Sequence, residues 1–169
     1  MKKYIIGAVI GSAIFLVGCG KTVEEQVTEG IVQVEASFEK AKESNTAQDD
    51  VKLYLPDGYV IDLAEEERNY IVSSDDDQYI LFVNEKESED SQVHYELVKM
   101  EKEENIIHLE QLKNEKEFGF AAVIKRSEEQ YELIVSIGGI KLSTMTNDKK
   151  IDKKLANMMD IVRSVEIIK

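Results

Sequence analysis

Apolar residues recur at steps of three and four in two segments, one near each end of the chain. The first segment predicts a helix over residues 22–44, with a stripe formed by Val23, Val27, Ile31, Val34, Phe38 and Ala41. Thr22 and Glu25 form a capping-box sequence at its start. The second predicts a helix over 152–164, with a stripe formed by Ile151, Leu155, Met158, Met159 and Val162.

We expect both stripes to be buried against the rest of the domain. A lone helix of this length that contains several valines and Gly30 has poor intrinsic propensity, so its stability must come from packing. Phe38 and Leu155 are therefore predicted to be core residues. The alternative is that the first helix stands free, as a stalk or as an arm that binds a partner.

Between the two helices the period of the apolar residues changes to two, which predicts β-strands over residues 51–144. The predicted strand segments are 51–55, 59–61, 69–73, 78–84, 93–97, 106–112, 118–124, 131–137 and 140–144. Gly138-Gly139 marks either a tight hairpin or a bulge, and a bulge would join the last two segments into one strand. Their connections are short, for example Pro56-Asp57-Gly58 and Gly138-Gly139, and short connections require antiparallel pairing. Residues 45–50 are predicted as a polar linker, and 85–91 as a charged hairpin loop. The sequence thus predicts an α+β fold, in which a bent antiparallel sheet of about seven or eight strands carries both helices on one face.

Residues 1–18 have the three parts of a secretory signal. Lys2 and Lys3 precede an apolar run, which ends in small residues and contains no acidic side chain. The run is shorter than the roughly 20 residues that a membrane-spanning helix needs. Leu16-Val17-Gly18-Cys19 resembles the lipobox of bacterial lipoproteins. That resemblance implies that residues 1–18 are removed and that Cys19 carries a diacyl lipid as the first residue of a single extracytoplasmic domain, 19–169. Two acyl chains are enough for stable anchoring to a membrane.

The charge of the chain excludes some partners. Without Lys2 and Lys3, 19 basic side chains remain against 34 acidic ones, a net charge of −15. Binding of nucleic acid, or flat adhesion to anionic lipid, requires clustered positive charge, so we expect neither. Cys19 is the only cysteine, which excludes a disulfide within the chain.

The part of the chain after the first helix resembles a family. Tyr54-Leu55-Pro56-Asp57-Gly58-Tyr59, an antiparallel meander and a closing helix that ends in Ile161-Val162-Arg163-Ser164-Val165 are similar to small cell-envelope domains of the PsbP-like and related lipoprotein groups. The similarity covers most of residues 51–168. It implies a binding or accessory module, not an enzyme, and it assigns a role to no residue.

Residues that could perform chemistry are few. A zinc site would need His94 and His108 to be brought together by strand pairing and completed by Glu96 or Glu110, because zinc takes three or four protein ligands. The acidic turns at 75–77 and 85–90 offer oxygen ligands for weak calcium binding, without the spacing of an EF-hand. The tyrosines either line a ligand groove or fill half-buried strand positions, and we favour packing. They are Tyr54, Tyr59, Tyr70, Tyr79, Tyr95 and Tyr131.

We therefore interpret the chain as a lipoprotein on the outer side of the cytoplasmic membrane that binds a protein or a small ligand through its sheet. The sequence assigns no catalytic, cofactor-binding or metal-binding residue and no cofactor; the only site residue is Cys19. The alternative is an enzyme with an unrecognised site that acts on envelope polymers. A broad exposed apolar patch would favour binding, whereas a deep cleft with converging carboxylates would favour catalysis.

Overall fold

The computed structural model describes residues 20–65, 68–74, 77–147 and 149–168. The predicted signal peptide and Cys19 lie outside these residues. Within them the chain forms, in order, α1 (Val23–Glu39), β1 (Thr46–Gln48), β2 (Val51–Leu53), β3 (Val60–Leu63), β4 (Asn69–Ser73), β5 (Gln78–Val83), α2 (Val93–Lys99), β6 (Ile106–Lys113), β7 (Phe118–Lys125), β8 (Tyr131–Ile137), β9 (Ile140–Thr146), α3 (Ile151–Ser164) and β10 (Glu166–Ile167).

Seven of these strands form one antiparallel sheet in the order β3-β4-β5-β9-β8-β7-β6. Neighbouring strands are mostly consecutive in the chain. The exception is β9, which returns to pair with β5 and places both of these strands inside the sheet. The predicted α+β class, with an antiparallel sheet flanked by helices from the two ends of the chain, is confirmed.

The first helix is shorter than predicted. The capping box of Thr22 and Glu25 is formed, but the helix ends at Glu39, because Lys40 is extended, and Ala41 is exposed. The prediction of a polar linker over 45–50 is wrong, since β1 pairs with β2 there. Asn45 begins this pairing: its side-chain amide donates to the Leu55 carbonyl oxygen at 2.9 Å and accepts from the Leu55 backbone N–H at 2.8 Å.

The strand at 51–55 was expected in the main sheet, but β2 lies in a separate sheet of order β1-β2-β10. Its third strand is β10, the segment that follows α3. The chain after α3 therefore pairs with the chain that follows α1. Ser164 links them further, because its hydroxyl accepts from the Tyr54 backbone N–H at 2.8 Å and donates to the Ile161 carbonyl oxygen.

The predicted strand at 93–97 is a helix. Residues Val93–Lys99 form α2, and the segment 85–91 before it is a connection from β5 to this helix instead of a hairpin loop. That connection crosses the β8–β9 turn very closely. A Cβ atom added to Gly139 would lie 2.4 Å from the Asn84 carbonyl oxygen, and one added to Gly138 would lie 2.6 Å from that of Ser88. Only glycine fits at either position.

The larger hydrophobic core lies between one face of the main sheet and the pair α1 and α3. Phe38 and Leu155 are both buried, as predicted, with exposures of 2% and 0%. A Cβ atom on Gly119 of β7 would lie 3.1 Å from the Phe38 ring, so this glycine makes room for it. The first helix is thus docked on the sheet and is not a free stalk.

Helices α1 and α3 run parallel, side by side. Near their starts, the Gln26 side chain accepts from the Ile151 backbone N–H at 3.0 Å, and near their ends Ser37 bonds to Asp160 at 2.7 Å. Between these contacts lies Gly30, where an added Cβ atom would be 2.9 Å from Leu155 and 3.1 Å from the Asp152 Cα. Gly30 costs helix propensity, but it permits the close approach of the two helices.

We predict that Gly30→Ala destabilises the protein. Overpacking costs about 1–3 kcal/mol and alanine regains about 1 kcal/mol of helix propensity, so a net loss of up to about 2 kcal/mol in the free energy of unfolding is expected in urea titrations. Gln33→Ala, on the exposed side of the same helix, is the matched control and should stay within about 0.5 kcal/mol. A more stable Gly30→Ala variant would show that the two helices separate at no cost.

Candidate functional site

The face of the main sheet opposite α1 and α3 carries a second, smaller core under α2. Tyr95 and Val98 of α2 pack there on side chains of β7 and β8, which are Phe118, Phe120, Ala122, Ile124 and Ile134. The Tyr95 ring meets Phe118 and Phe120 edge-on, with centroid distances of 5.3 and 5.8 Å. The geometry is the favourable one for aromatic pairs, so α2 is held firmly over this half of the sheet.

Ion pairs of Arg126 link the end of α2 to the sheet. Its guanidinium binds both carboxylate oxygens of Glu101, just after α2, at 2.9 and 3.0 Å, and also binds Glu132 of β8. These hydrogen bonds raise the pKa of Arg126 and lower that of Glu101. A forked, bidentate pair of this kind fixes orientation as well as distance.

The half of this face formed by β4, β5 and β9 is not covered by α2. We call it the open face and define it by Ile71, Ile80, Ser143 and Met145. Phe82 lies at its border, where it packs against His94 of α2. Ile71, Ile80 and Ser143 lie directly opposite one another on adjacent strands, in a row that continues to the buried Ile134. Ile80 and Met145 are 46% and 49% exposed. The row therefore leads from the small core to exposed apolar side chains, with Ser143 between Ile134 and Ile80.

Exposed apolar residues concentrate around the open face. Of the described large hydrophobic side chains that are exposed, three lie on this side of the sheet, Val60, Ile80 and Met145. Three more belong to α2 or follow it directly, Val93, Leu97 and Met100. Contiguous apolar patches on the surface typically mark interaction sites, whereas single exposed residues do not.

A depression of about 510 Å³ lies on the open face, lined by Gln78, Ile80, Glu132, Ser143 and Met145, together with Asp77 and Thr144. Both of its carboxylates are held in ion pairs. Asp77 contacts the Lys154 amine at 2.6 Å, and Glu132 contacts Arg126. The depression is therefore lined by both apolar and polar side chains. Its two carboxylates are not free to act as a catalytic acid and base.

The structure does not bring His94 and His108 together on paired strands. His94 lies on α2, 9% exposed, with its ring edge-on to Phe82 at 5.7 Å. His108 lies on the edge strand β6, bonded to Glu110 at 3.2 Å. Among residues 20–65, 68–74, 77–147 and 149–168, no group of three or more His, Cys, Asp or Glu side chains is arranged to hold a metal ion.

Several acidic side chains of the two turns considered for calcium bind other side chains in the described part of the chain. Asp77 is paired with Lys154, and Asp75 and Asp76 lie outside the described residues. In the other segment, Ser88 donates to Asp90 and Ser91 donates to Glu87, each at 2.6 Å.

The tyrosines pack within the domain and do not line one groove. Tyr70, Tyr79, Tyr95 and Tyr131 are buried, and Tyr54 and Tyr59 are half-buried. Tyr79 shares a 3.2 Å hydrogen bond with the Tyr59 hydroxyl, and Tyr70 donates to Asp50. Burial and these bonds raise the pKa of both Tyr70 and Tyr79. The preference for packing is confirmed.

The open face was not identified from the sequence, because it depends on α2. Alternation of Val93, Tyr95 and Leu97 resembles a strand, but the buried residues are His94, Tyr95 and Val98. Their spacing of one, three and four is that of a helical face, and this was the available signal. Seven residues are too few for the two periods to be distinguished reliably.

We predict that His94 makes the stability of the protein sensitive to acid. Burial lowers its pKa in the folded state, and its ring Nε2 has no hydrogen-bond partner among the residues that the structure describes. Below about pH 6.5 the unfolded chain therefore takes up a proton that the folded protein excludes, so stability is lost as the pH falls, by at most about 1.4 kcal/mol per unit.

The measurement is the urea midpoint at about pH 7.5 and about pH 5.5. His94→Gln should show a smaller decrease in the urea midpoint than the wild type. Gln33→Ala, an exposed change that removes no titratable group, should match the wild type. An unchanged pH dependence in His94→Gln would contradict the assignment.

No helix in the described part of the chain is long and apolar enough to cross a membrane. No family model matches the chain, and no curated protein matches it.

Proposed function

We propose that this protein is a membrane-anchored lipoprotein that acts as a non-catalytic binding module at the cell envelope, with the open face as its docking surface. The observation that carries the proposal is the apolar surface of β5 and β9 left uncovered beside α2, with Ile80 and Met145 about half exposed. A sheet face of this kind is costly to leave in water unless a partner covers it.

Anchoring is proposed from the sequence. The charged start, the apolar run and Leu16-Val17-Gly18-Cys19 stand immediately before Gly20, and α1 begins three residues later. If Cys19 carries a lipid, only three residues separate the anchored residue from the first helix of the domain. A tethered module meets its partners at a high local concentration, which permits modest affinity for each contact.

The chemistry of the surface favours a protein partner with an apolar centre and positive charge around it. The open face provides isoleucine and methionine side chains, and the mature chain carries a net charge of −15. Long-range attraction between opposite charges accelerates encounter, and the apolar contact supplies most of the affinity.

The alternative, an enzyme acting on envelope polymers, is less well supported. The two carboxylates in the depression on the open face, Asp77 and Glu132, are neutralised by Lys154 and Arg126. A glycoside hydrolase, for example, needs two carboxyl groups that face the same bond.

We predict that Cys19→Ala blocks maturation. The full-length precursor should accumulate, and mass spectrometry should show no diacyl modification, because the thiol that accepts the lipid is gone. Ser12→Ala, a conservative change in the same leader, is the control and should be processed normally. A Cys19→Ala protein that is still cleaved and carries the same lipid mass would refute the anchoring.

We predict that a photo-crosslinking amino acid at position 80 or 145 captures a discrete partner in intact membranes. The control is the same amino acid at Val32, which is 61% exposed on α1 and lies on the opposite side of the domain. The change Ile80→Glu should weaken capture from position 145 by at least about tenfold, since it places a charge in the apolar contact. Val32→Glu should leave that capture unchanged.

Equal capture from positions 32 and 145, or capture that Ile80→Glu does not weaken, would contradict docking on the open face. Urea midpoints of both glutamate variants within the error of the wild type would show that the effect is on binding and not on folding.

A further inference from the structure

We infer that the outer edge of β3 accepts an extended segment of a partner protein as an additional strand, with a basic residue of that segment opposite Asp62. The inference rests on the proposed role of the protein as a binding module and adds how the partner is held. Among the described strands, β3 lies at the end of the main sheet and pairs only with β4. Its other side is therefore a free edge, where a further strand can bind.

The hydrogen bonds to β4 show which backbone groups of β3 point outwards. The Ala64 backbone N–H donates to the Asn69 carbonyl oxygen at 3.0 Å, in the register of the β3–β4 pair. In an antiparallel pair every second residue is bonded to the partner strand, so Asp62, like Ala64, is bonded to β4. Ile61 and Leu63 therefore direct their N–H and C=O groups away from β4. In the described part of the chain these groups have no hydrogen-bond partner.

The edge of β3 is accessible to a partner. Three of its four side chains are exposed, including Val60 at 58% and Leu63 at 53%. Strand β1 lies nearby, but its hydrogen bonds go to β2. The other edge strand of the main sheet, β6, is interrupted by a bulge between Ile106 and His108 and ends at the exposed Lys113. Bulges and lysines keep edge strands from pairing, and β3 has neither.

An added strand would extend the open face. Asp62 lies directly opposite Ile71, at the end of the row that leads through Ile80 to Ser143. A residue bound opposite Asp62 would therefore continue that row on the same side of the sheet. Asp62 is exposed and forms no ion pair with any residue that the structure describes. Opposite charges on adjacent strands attract, so a lysine or an arginine is the favoured neighbour.

A second copy of this chain fits the edge poorly. In an antiparallel pair of two β3 strands, the register that joins Ile61 of each copy to Leu63 of the other places the two Asp62 side chains directly opposite each other. Like charges in that position are destabilising. The net charge of −15 on each mature chain adds long-range repulsion. The favoured occupant is therefore a different protein, whose extended segment is basic.

The probe for this edge is a synthetic peptide of alternating valine and threonine with a lysine at its centre, because these residues favour the extended conformation. It is added to the full-length protein in detergent micelles, and amide hydrogen exchange is followed residue by residue by NMR. At about 90% occupancy, exchange should slow by about tenfold at Ile61 and Leu63, whose N–H groups gain a partner. Asp62, already bonded to β4, should not change. The same peptide with N-methylated alternate amides should protect neither residue.

The charge of the bound segment is tested with a second peptide that has glutamate at its centre. It should bind the wild type at least about fivefold more weakly than the lysine peptide does. Asp62→Lys should reverse this preference. Glu35→Lys, on the exposed side of α1, changes the net charge equally and should keep it. Leu63→Pro, which removes an outward N–H and no bond to β4, should abolish the protection of Ile61, whereas Leu63→Thr should retain it.

Equal protection of Asp62 and Leu63, or the same peptide preference in Asp62→Lys and Glu35→Lys, would overturn the added strand. Slower exchange at Leu63 when the protein alone is concentrated would show that a second copy is the occupant. No protection by the lysine peptide, in a protein that is still captured from position 145, would overturn the β3 edge and leave docking on the open face intact. Protection of Leu63 without capture from position 145 would overturn the open face and keep the edge.

Discussion

The close contact between α1 and α3 at Gly30 is the constraint on which the rest of the structure depends. The two helices lie parallel and share one face of the sheet, and a single added methyl group at Gly30 would meet the backbone of Asp152. Their joint packing buries Phe38 and Leu155 and closes the larger core. Because α1 is held in this way, its start is fixed beside the start of α3.

The two faces of the sheet are covered unequally, and this inequality creates the candidate binding surface. One face supports two helices of 17 and 14 residues, whereas the other supports only the seven residues of α2. Tyr95 and Val98 of α2 pack on β7 and β8, and α2 reaches β5 only where His94 meets Phe82. The isoleucines of β4 and β5 beyond it remain in contact with solvent.

Some charged side chains form ion pairs that hold the fold together, whereas others have no partner in the described part of the chain. Lys154 and Arg126 each neutralise acidic residues next to the open face, at Asp77 and Glu132. These pairs hold turns and helix ends in place and are only partly exposed, so they are shielded from salt better than surface pairs. The lysines of the β9–α3 connection have no such partners in the described chain.

The sequence by itself determined the elements whose apolar pattern extends over many residues. Both terminal helices, the strands from β4 to β9 and the burial of Phe38 and Leu155 follow from local periodicity, since a long stripe or alternation can face the core in only one way. The resemblance of Leu16-Val17-Gly18-Cys19 to a lipobox is likewise a local signal.

The remaining features, which are β1, α2 and the surfaces described above, depend on contacts between distant parts of the chain and were decided by the tertiary structure alone. The strand β1 forms because β2 supplies its hydrogen bonds, and the Asn45 side chain holds the backbone of Leu55 beside the start of this pairing. The segment α2 is a helix because His94, Tyr95 and Val98 find apolar partners on the second face of the sheet. The open face and the depression beside Gly20 each combine residues far apart in the chain, such as Ile80 with Met145 and Lys21 with Lys150. Such neighbours are set by strand order and helix packing, and a one-dimensional pattern contains neither.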